Sequence, residues 1–228
     1  MRSFFIFIIF LSFAFAKAQT YEVGVFVGTS NIVGDVGSTQ YLQFNDVAIG
    51  GVFKWNRSSR HSFRASIISA NMVGDDNDSD DTSRDLRGLK YSYSLIEASV
   101  GIEYTFWDWD LYSGRTQLVP YLYTGLTAFQ YSSFALNNTN ELEEYDKSID
   151  IAIPIMFGVK TNITPELILA AEIGARYTFT DNLDGSNPDG DMDFDNLKFG
   201  NINNKDWYIF SGVTLTYTFG RKPCYCNF

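Results

Sequence analysis

Four things are scarce in this chain, and each scarcity excludes a class of function. Histidine occurs once, as His61. Cysteine occurs twice, as Cys224 and Cys226, both within the last five residues. Basic residues are outnumbered, 17 Lys and Arg against 27 Asp and Glu, for a net charge of −10. Beyond the first 18 residues, no run of 18 consecutive apolar residues occurs. The lone His61 is followed by Ser62, and neighbours on a strand point to opposite faces. They cannot form a nucleophile–base pair there, so no catalytic residues are expected and the chain reads as a non-enzyme. The acidic balance lacks the basic footprint that nucleic-acid binding needs. Without a long apolar run there is no transmembrane helix to predict. The two cysteines are two residues apart, too close to bridge each other without strain. As a Cys-x-Cys pair they supply too few ligands for a tetrahedral metal site. No cofactor and no metal ligand set is expected.

The first 18 residues are apolar in a different way. A basic start at Arg2, an apolar run of about 13 residues from Phe4 to Ala16 and the small-residue site Ala16-Lys17-Ala18 have the form of a secretory signal peptide. That run is too short to span a bilayer. Cleavage is expected after Ala18, and no cysteine follows that would direct lipoprotein processing. The remaining 210 residues, Gln19–Phe228, carry 15 basic and 27 acidic residues because Arg2 and Lys17 leave with the leader. That is a net charge of −12, in a length suited to one domain. No internal repeat and no second folded domain is evident.

Aromatic residues are abundant, at 17% of the chain, mostly Tyr and Phe. Hydrophobicity alternates with a period of two through eight segments at about 21–29, 46–55, 61–70, 93–106, 118–131, 149–160, 166–179 and 206–219. In the sixth, Ile149, Ile151, Ile153, Ile155, Phe157 and Val159 share one face, and Asp150, Ala152, Pro154, Met156, Gly158 and Lys160 the other. In the seventh, Leu167 to Phe179 alternate outward while Glu166, Glu172, Gly174 and Arg176 face inward. In the fourth, Glu97, Ser99, Gly101 and Glu103 oppose Ile96, Ala98, Val100 and Ile102. Segments this long are unusual for a soluble sandwich. A dry sandwich core would also not tolerate several charges per strand. The expected fold is all-β: an eight-stranded antiparallel transmembrane β-barrel of the OmpX/OmpA kind, over residues 19–219, with a tail at 220–228.

Connections alternate in length. Those at 56–60, 107–117 and 161–165 are short, and those at 30–45, 71–92, 132–148 and 180–205 are long. Outer-membrane barrels keep short turns in the periplasm and long loops outside the cell. Both termini are therefore expected in the periplasm. Eight strands enclose an interior only wide enough for side chains. Lys54, Arg64, Lys160 and Arg176 should pair there with Glu22, Glu97, Glu103, Asp150 and Glu172, closing the lumen rather than lining a pore.

That leaves the rims, loops and tail. Asp75, Asp76, Asp78, Asp80 and Asp81 cluster in one long loop, and Asp184, Asp189, Asp191, Asp193 and Asp195 in another. The second has carboxylates at alternate positions, but Phe194 and Gly200 stand where a calcium loop needs Gly and Glu. A solvated acidic loop fits better. The periplasmic rim carries Arg57 and Arg60 on one turn and Trp107, Asp108, Trp109, Asp110 and Arg115 on another. Trp and Arg anchor protein interfaces, and Trp also marks the lipid interface. The tail adds Arg221, Cys224, Tyr225 and Cys226 in an oxidising compartment, where a disulfide to a partner is a credible use of the thiols. The competing reading is a frayed tail with incidental thiols.

Several stretches resemble the PorG family: Gln19-Thr-Tyr-Glu-Val-Gly-Val-Phe-Val-Gly28, Asn31-Ile-Val-Gly-Asp-Val-Gly37, Gly50-Gly-Val-Phe-Lys-Trp-Asn-Arg57 and Pro120-Tyr-Leu-Tyr-Thr-Gly125. PorG proteins are outer-membrane components of the type IX secretion system of Bacteroidota. The resemblance implies association with a periplasmic ring built by the lipoprotein PorK/GldK and by PorN/GldN. It also implies a role in protein secretion and, in gliding relatives, motility. It carries no catalytic residues. On this reading Cys224, Cys226, Tyr225, Arg221, Arg57, Arg60, Trp107 and Trp109 are candidate partner contacts, and outer-membrane lipid surrounds the barrel. The alternative is a stand-alone OmpX-like barrel that binds an extracellular ligand through its long acidic loops.

Overall fold

A strand whose alternate residues are apolar must face two different solvents, and here every strand does so. The computed structural model describes residues 20–38, 40, 46–110, 113–137, 141–188, 197–201 and 205–220. The strands are β1 (Thr20–Val33), β2 (Asp46–Asn56), β3 (His61–Asp75), β4 (Lys90–Thr105), β5 (Leu118–Leu136), β6 (Leu142–Asn162), β7 (Leu167–Thr178) and β8 (Trp207–Gly220). Each pairs antiparallel with its sequence neighbour. β8 returns to β1 in register from Thr20↔Gly220 to Val33↔Trp207, which closes the barrel. The architecture is the all-β, eight-stranded antiparallel barrel that the alternation predicts.

The apolar residues outside form a continuous surface. Val25, Ile67, Val100, Leu126 and Ile155 are each more than half exposed. A patch this extensive is not stable against water and suits a hydrocarbon surrounding. Aromatic residues bound it at both ends. At the short-turn end Tyr21 stacks between Phe53 and Phe219, and Trp55 packs on Phe63. At the long-loop end Tyr177 contacts Phe179 and Trp207 edge-on. No helix among the described residues is long and apolar enough to cross a membrane; the strands provide the crossing.

The structure departs from the sequence expectation mainly at the long-loop end. The expected loop at 132–148 is mostly strand: β5 and β6 run on as a hairpin joined through residues 137–141. The loop at 71–92 is shortened likewise, because β3 reaches Asp75 and β4 starts at Lys90. Between them lie a 3-10 turn, Asp76–Asp78, and a short helix α1, Thr82–Arg87. Alternation is hard to read there because it inverts above the apolar belt: Lys90, Ser92 and Ser94 face outward while Tyr91, Tyr93 and Leu95 pack inward. Glu166, expected to face inward on β7, is instead exposed in the preceding turn. Its carbonyl accepts from the amide and hydroxyl of Thr218, so it closes a turn rather than entering the lumen.

Candidate functional site

Inside the barrel, four buried cations meet four buried carboxylates: Lys54, Arg64, Lys160 and Arg176 against Glu22, Glu97, Glu103 and Glu172. Glu103 is the hub. Its two oxygens lie 2.7 Å from Lys54 Nζ and 2.7 Å from Lys160 Nζ, with Arg64 at 4.0 Å. Arg64 grips Glu172 through two parallel bonds of 2.8 and 2.7 Å, and the Tyr121 hydroxyl donates to the same carboxylate. Arg176 grips Glu97 at 3.2 and 2.9 Å, and Tyr208 adds a bond of 2.9 Å. Such forked pairs fix geometry as well as charge. Glu22 is held by neutral donors, the Asn56 amide at 2.7 Å and the Thr216 hydroxyl at 2.9 Å.

Aromatic rings fill the spaces between these charges. Lys54 and Lys160 lie over Tyr121, Arg64 over Tyr123 and Arg176 over Phe210. Gly158 leaves room for the Tyr121 ring, whose Cε1 would stand 2.7 Å from any Cβ placed there. The lumen is thus a packed, charge-balanced core. Asp150, also expected in it, sits half-buried at its long-loop mouth, where it accepts from Tyr131 at 3.3 Å. Sequence reading identified the charges but not their ring partners. The signal for Tyr121 and Tyr123 was their shared register on β5, opposite in parity to exposed Leu122.

The short-turn end is tied into one piece. Trp109 donates its amide to the Ser59 carbonyl at 2.9 Å, and Thr105 donates to that of Arg60 at 2.9 Å. Arg60 and Asp108 form an exposed pair at 2.7 Å. Their hydrogen bond holds the Arg60 guanidinium above, and the Asp108 carboxyl below, its ordinary value. Arg57 is exposed, and Trp107 stands 60% exposed. Trp109 is a correction: it does not stand on the rim. It turns inward, is 4% exposed, packs with Val119 and Ile168, and lies 5.0 Å from Lys160 Nζ. It therefore caps the lumen from below. His61 faces outward against Tyr104, while Ser62 faces inward to Asn56. Arg221, Cys224, Tyr225 and Cys226 lie outside the described residues, as do residues 1–19 and the acidic run 189–195.

The long-loop end is plugged by acids used as ties. Asp76 is fully buried and accepts from Gly37 N, Leu89 N and both arms of Arg87. Asp81 caps α1 through Ser83 N at 2.8 Å, and Gly88 ends it in a left-handed conformation, φ 67°. Asp184 accepts from the amides of Asp35, Val36 and Ser186, and Asp206 from Leu183 N. These two carboxyls flank Gly34, whose missing side chain lets the chain pass: a Cβ there would meet them at 2.5 and 2.8 Å. Burial raises both above the ordinary carboxyl value, Asp206 further because Asp184 lies beside it. Beside this plug is a cavity of about 800 Å³ whose wall includes Asp35, Asp81, Arg84, Arg87, Leu136 and Phe199. Among the described residues no group of three or more His, Cys, Asp or Glu side chains could hold a metal ion.

A closed, plugged barrel with an apolar exterior and charged ends is the class that this geometry defines. The chain belongs to the family described as "Domain of unknown function (DUF6089)", whose model matches residues 1–228. No curated protein matches the chain. Among solved structures, the N-terminal β-barrel domain of OprF from Pseudomonas aeruginosa is similar at 12% identity, covering 89% of this chain and 98% of that one, with a TM-score of 0.48. Ail, the attachment invasion locus protein of Yersinia pestis, in complex with the heparin analogue sucrose octasulfate, aligns at 8% identity over 89% and 99%, also at 0.48. Neisserial surface protein A aligns at 9% over 89% and 96%, at 0.43. The fold assignment rests on this chain's own strand pairing.

Proposed function

We propose that the protein is a non-enzymatic outer-membrane component of the type IX secretion machinery, anchoring the periplasmic ring of PorK/GldK and PorN/GldN. The observation that carries the reading is the resemblance of Gln19–Gly28, Asn31–Gly37, Gly50–Arg57 and Pro120–Gly125 to the PorG family. A lumen filled by paired charges supports it, since work at a barrel without a pore falls to its ends. In this reading the short turns and both termini are periplasmic and the long loops extracellular. Arg57, Arg60 and exposed Trp107 form the barrel's share of the docking rim, with Arg221, Cys224, Tyr225 and Cys226 extending it. Trp109 supports that rim from beneath rather than touching a partner.

The test is a non-reducing gel of intact envelopes from wild type, Cys224→Ala and Cys226→Ala. A high-mass adduct that reducing agent or either substitution removes, and that contains the ring lipoprotein, supports a covalent dock. Full secretion and an intact ring after deletion of residues 220–228 together with Arg57→Glu and Arg60→Glu refutes the anchor. The cavity beside Arg84 and Arg87 favours the second reading, an extracellular ligand site. Deleting the 76–89 loop should then abolish function, whereas a periplasmic anchor is unaffected.

A further inference from the structure

One strand of the barrel runs well past its neighbour, and its surroundings define what could pair with it. β5 and β6 are 19 and 21 residues long, the longest of the set. β7 follows β6 only as far as Ala152↔Thr178. There the chain turns over the lumen: Thr178 donates to the Asp206 carbonyl at 2.6 Å, and the Thr180 hydroxyl meets that of Tyr131 at 3.1 Å. β6 continues without it. From Leu142 to Ile151 it pairs with β5 on one side, and among the described residues no strand pairs on the other. At about 3.4 Å per residue this is some 30 Å of strand. β5 is not exposed in the same way, since Tyr131, Ser132, Ser133, Phe134 and Ala135 are all buried.

The 181–187 loop covers the hairpin's inner face: Asn182 donates to the Tyr145 hydroxyl, and Gly185 lies against Phe134 and Leu142. It makes no backbone bond to Asp146–Ile151 among the described residues. Two features then specify a partner. Glu143, Glu144, Asp146 and Asp150 flank this edge against a single cation, Lys147. Ile149 and Ile151 are 71% and 55% exposed. Ala152 pairs with Thr178, so Ile151 stands level with Phe179 at the rim of the aromatic belt and Ile149 extends the apolar exterior one rung beyond it. Charged residues along an edge oppose pairing with a like-charged strand. A second copy of this chain, at net charge −10, would bring the same acids to the contact.

We propose that the Asp146–Ile151 edge of β6 is a strand-addition site for an extended polypeptide segment alternating cationic and apolar side chains. Main-chain bonds to the edge that β7 leaves supply affinity, and the acids and isoleucines supply selectivity. The site is at the opposite end from the ring-anchoring rim, and the two proposals stand or fall separately.

The experiment uses the full chain refolded in detergent micelles and three eight-residue probes: an alternating Lys–Val peptide, its Glu–Val counterpart, and the Lys–Val peptide N-methylated at alternate amides. The Lys–Val peptide should bind and slow amide hydrogen exchange at 146–151. The other two should not bind: one has the wrong charge, and the other keeps the charge but lacks the edge-pairing donors. Glu143→Lys with Glu144→Lys and Asp146→Lys should weaken the Lys–Val peptide roughly tenfold or more. Equal binding of the N-methylated peptide, protection elsewhere on the barrel, or affinity unchanged by charge reversal overturns the proposal. So does concentration-dependent protection of 146–151 without peptide, which identifies a second copy as the occupant. The peptide comparison needs no variant, so a variant that fails to refold leaves the test intact.

Discussion

Replacing Glu103 with glutamine should be among the most damaging single-atom changes available to this barrel. The substitution keeps shape and volume and removes one negative charge. It leaves Lys54 and Lys160, each 2.7 Å from a Glu103 oxygen, and Arg64 at 4.0 Å around a neutral amide. All four side chains are at most 1% exposed, so water cannot screen the excess. Breaking a buried pair from one side costs roughly 3–5 kcal/mol, because the remaining charge stays desolvated. At a urea slope of about 2 kcal/mol per molar, the unfolding midpoint falls by roughly 1.5–2.5 M. The assay is urea unfolding of the refolded barrel in lipid vesicles, read by tryptophan fluorescence and by the gel shift between folded and unfolded forms. Adding Lys54→Met should restore part of the loss, since the double variant removes both halves of one pair. Glu22→Gln is the internal control: neutral donors hold that carboxylate, so its shift should be smaller. A Glu103→Gln midpoint within about 0.5 M of wild type, with no recovery in the double variant, would refute the reading of the lumen as a mutually dependent charge network.

Three further outcomes follow from the ends of the barrel. Trp109→Ala removes the lower cap and should cost about 3–5 kcal/mol in the same unfolding assay. It should produce no conductance in planar bilayers, because the Glu103 layer lies above the gap. Asp206→Asn should flatten the pH dependence of the outer plug. A carboxyl raised by burial is disfavoured when ionised, so plug stability falls as pH rises from the ordinary carboxyl range through the raised value, and acid tightens it. Proteolysis of the 181–188 segment across pH 4–8 reads this directly, and an unchanged slope in Asp206→Asn counts against it. Arg60→Ala breaks an exposed pair and should leave the unfolding midpoint where it was, so any secretion defect it causes reports on docking rather than on folding.

The barrel was legible in the sequence because its two faces meet different solvents along most of each strand. Ile149 to Val159 and Leu167 to Tyr177 alternate without interruption, and the charges between them mark the inner face. Legibility ended where that contrast ended. Above the aromatic belt both faces of Leu142–Ser148 carry polar residues, so a strand there reads as a loop. The bulge between Ser133 and Phe134 further breaks the period. Trp109 was misplaced because a turn residue's direction is set by the turn, here the hydrogen bond from its amide to the Ser59 carbonyl, and not by strand parity. Asp76 and Asp184 read as solvated acids because composition records a charge but not the backbone amides that fold around it.

The lumenal pairs also constrain how the molecule can come into being. Glu103 on β4 is bonded to β2 and β6, Arg64 on β3 to Glu172 on β7, and Arg176 on β7 to Glu97 on β4. The last two span 108 and 79 residues of chain, and none of these bonds joins adjacent strands. An open, partly assembled sheet cannot make the last two, whose partners stand four and three strands apart, however well its hairpins are formed. Until β8 meets β1, these side chains must stay hydrated. Closure then exchanges water for counter-charges in a single event, so assembly should behave as a latch, slow to engage and difficult to release from either end.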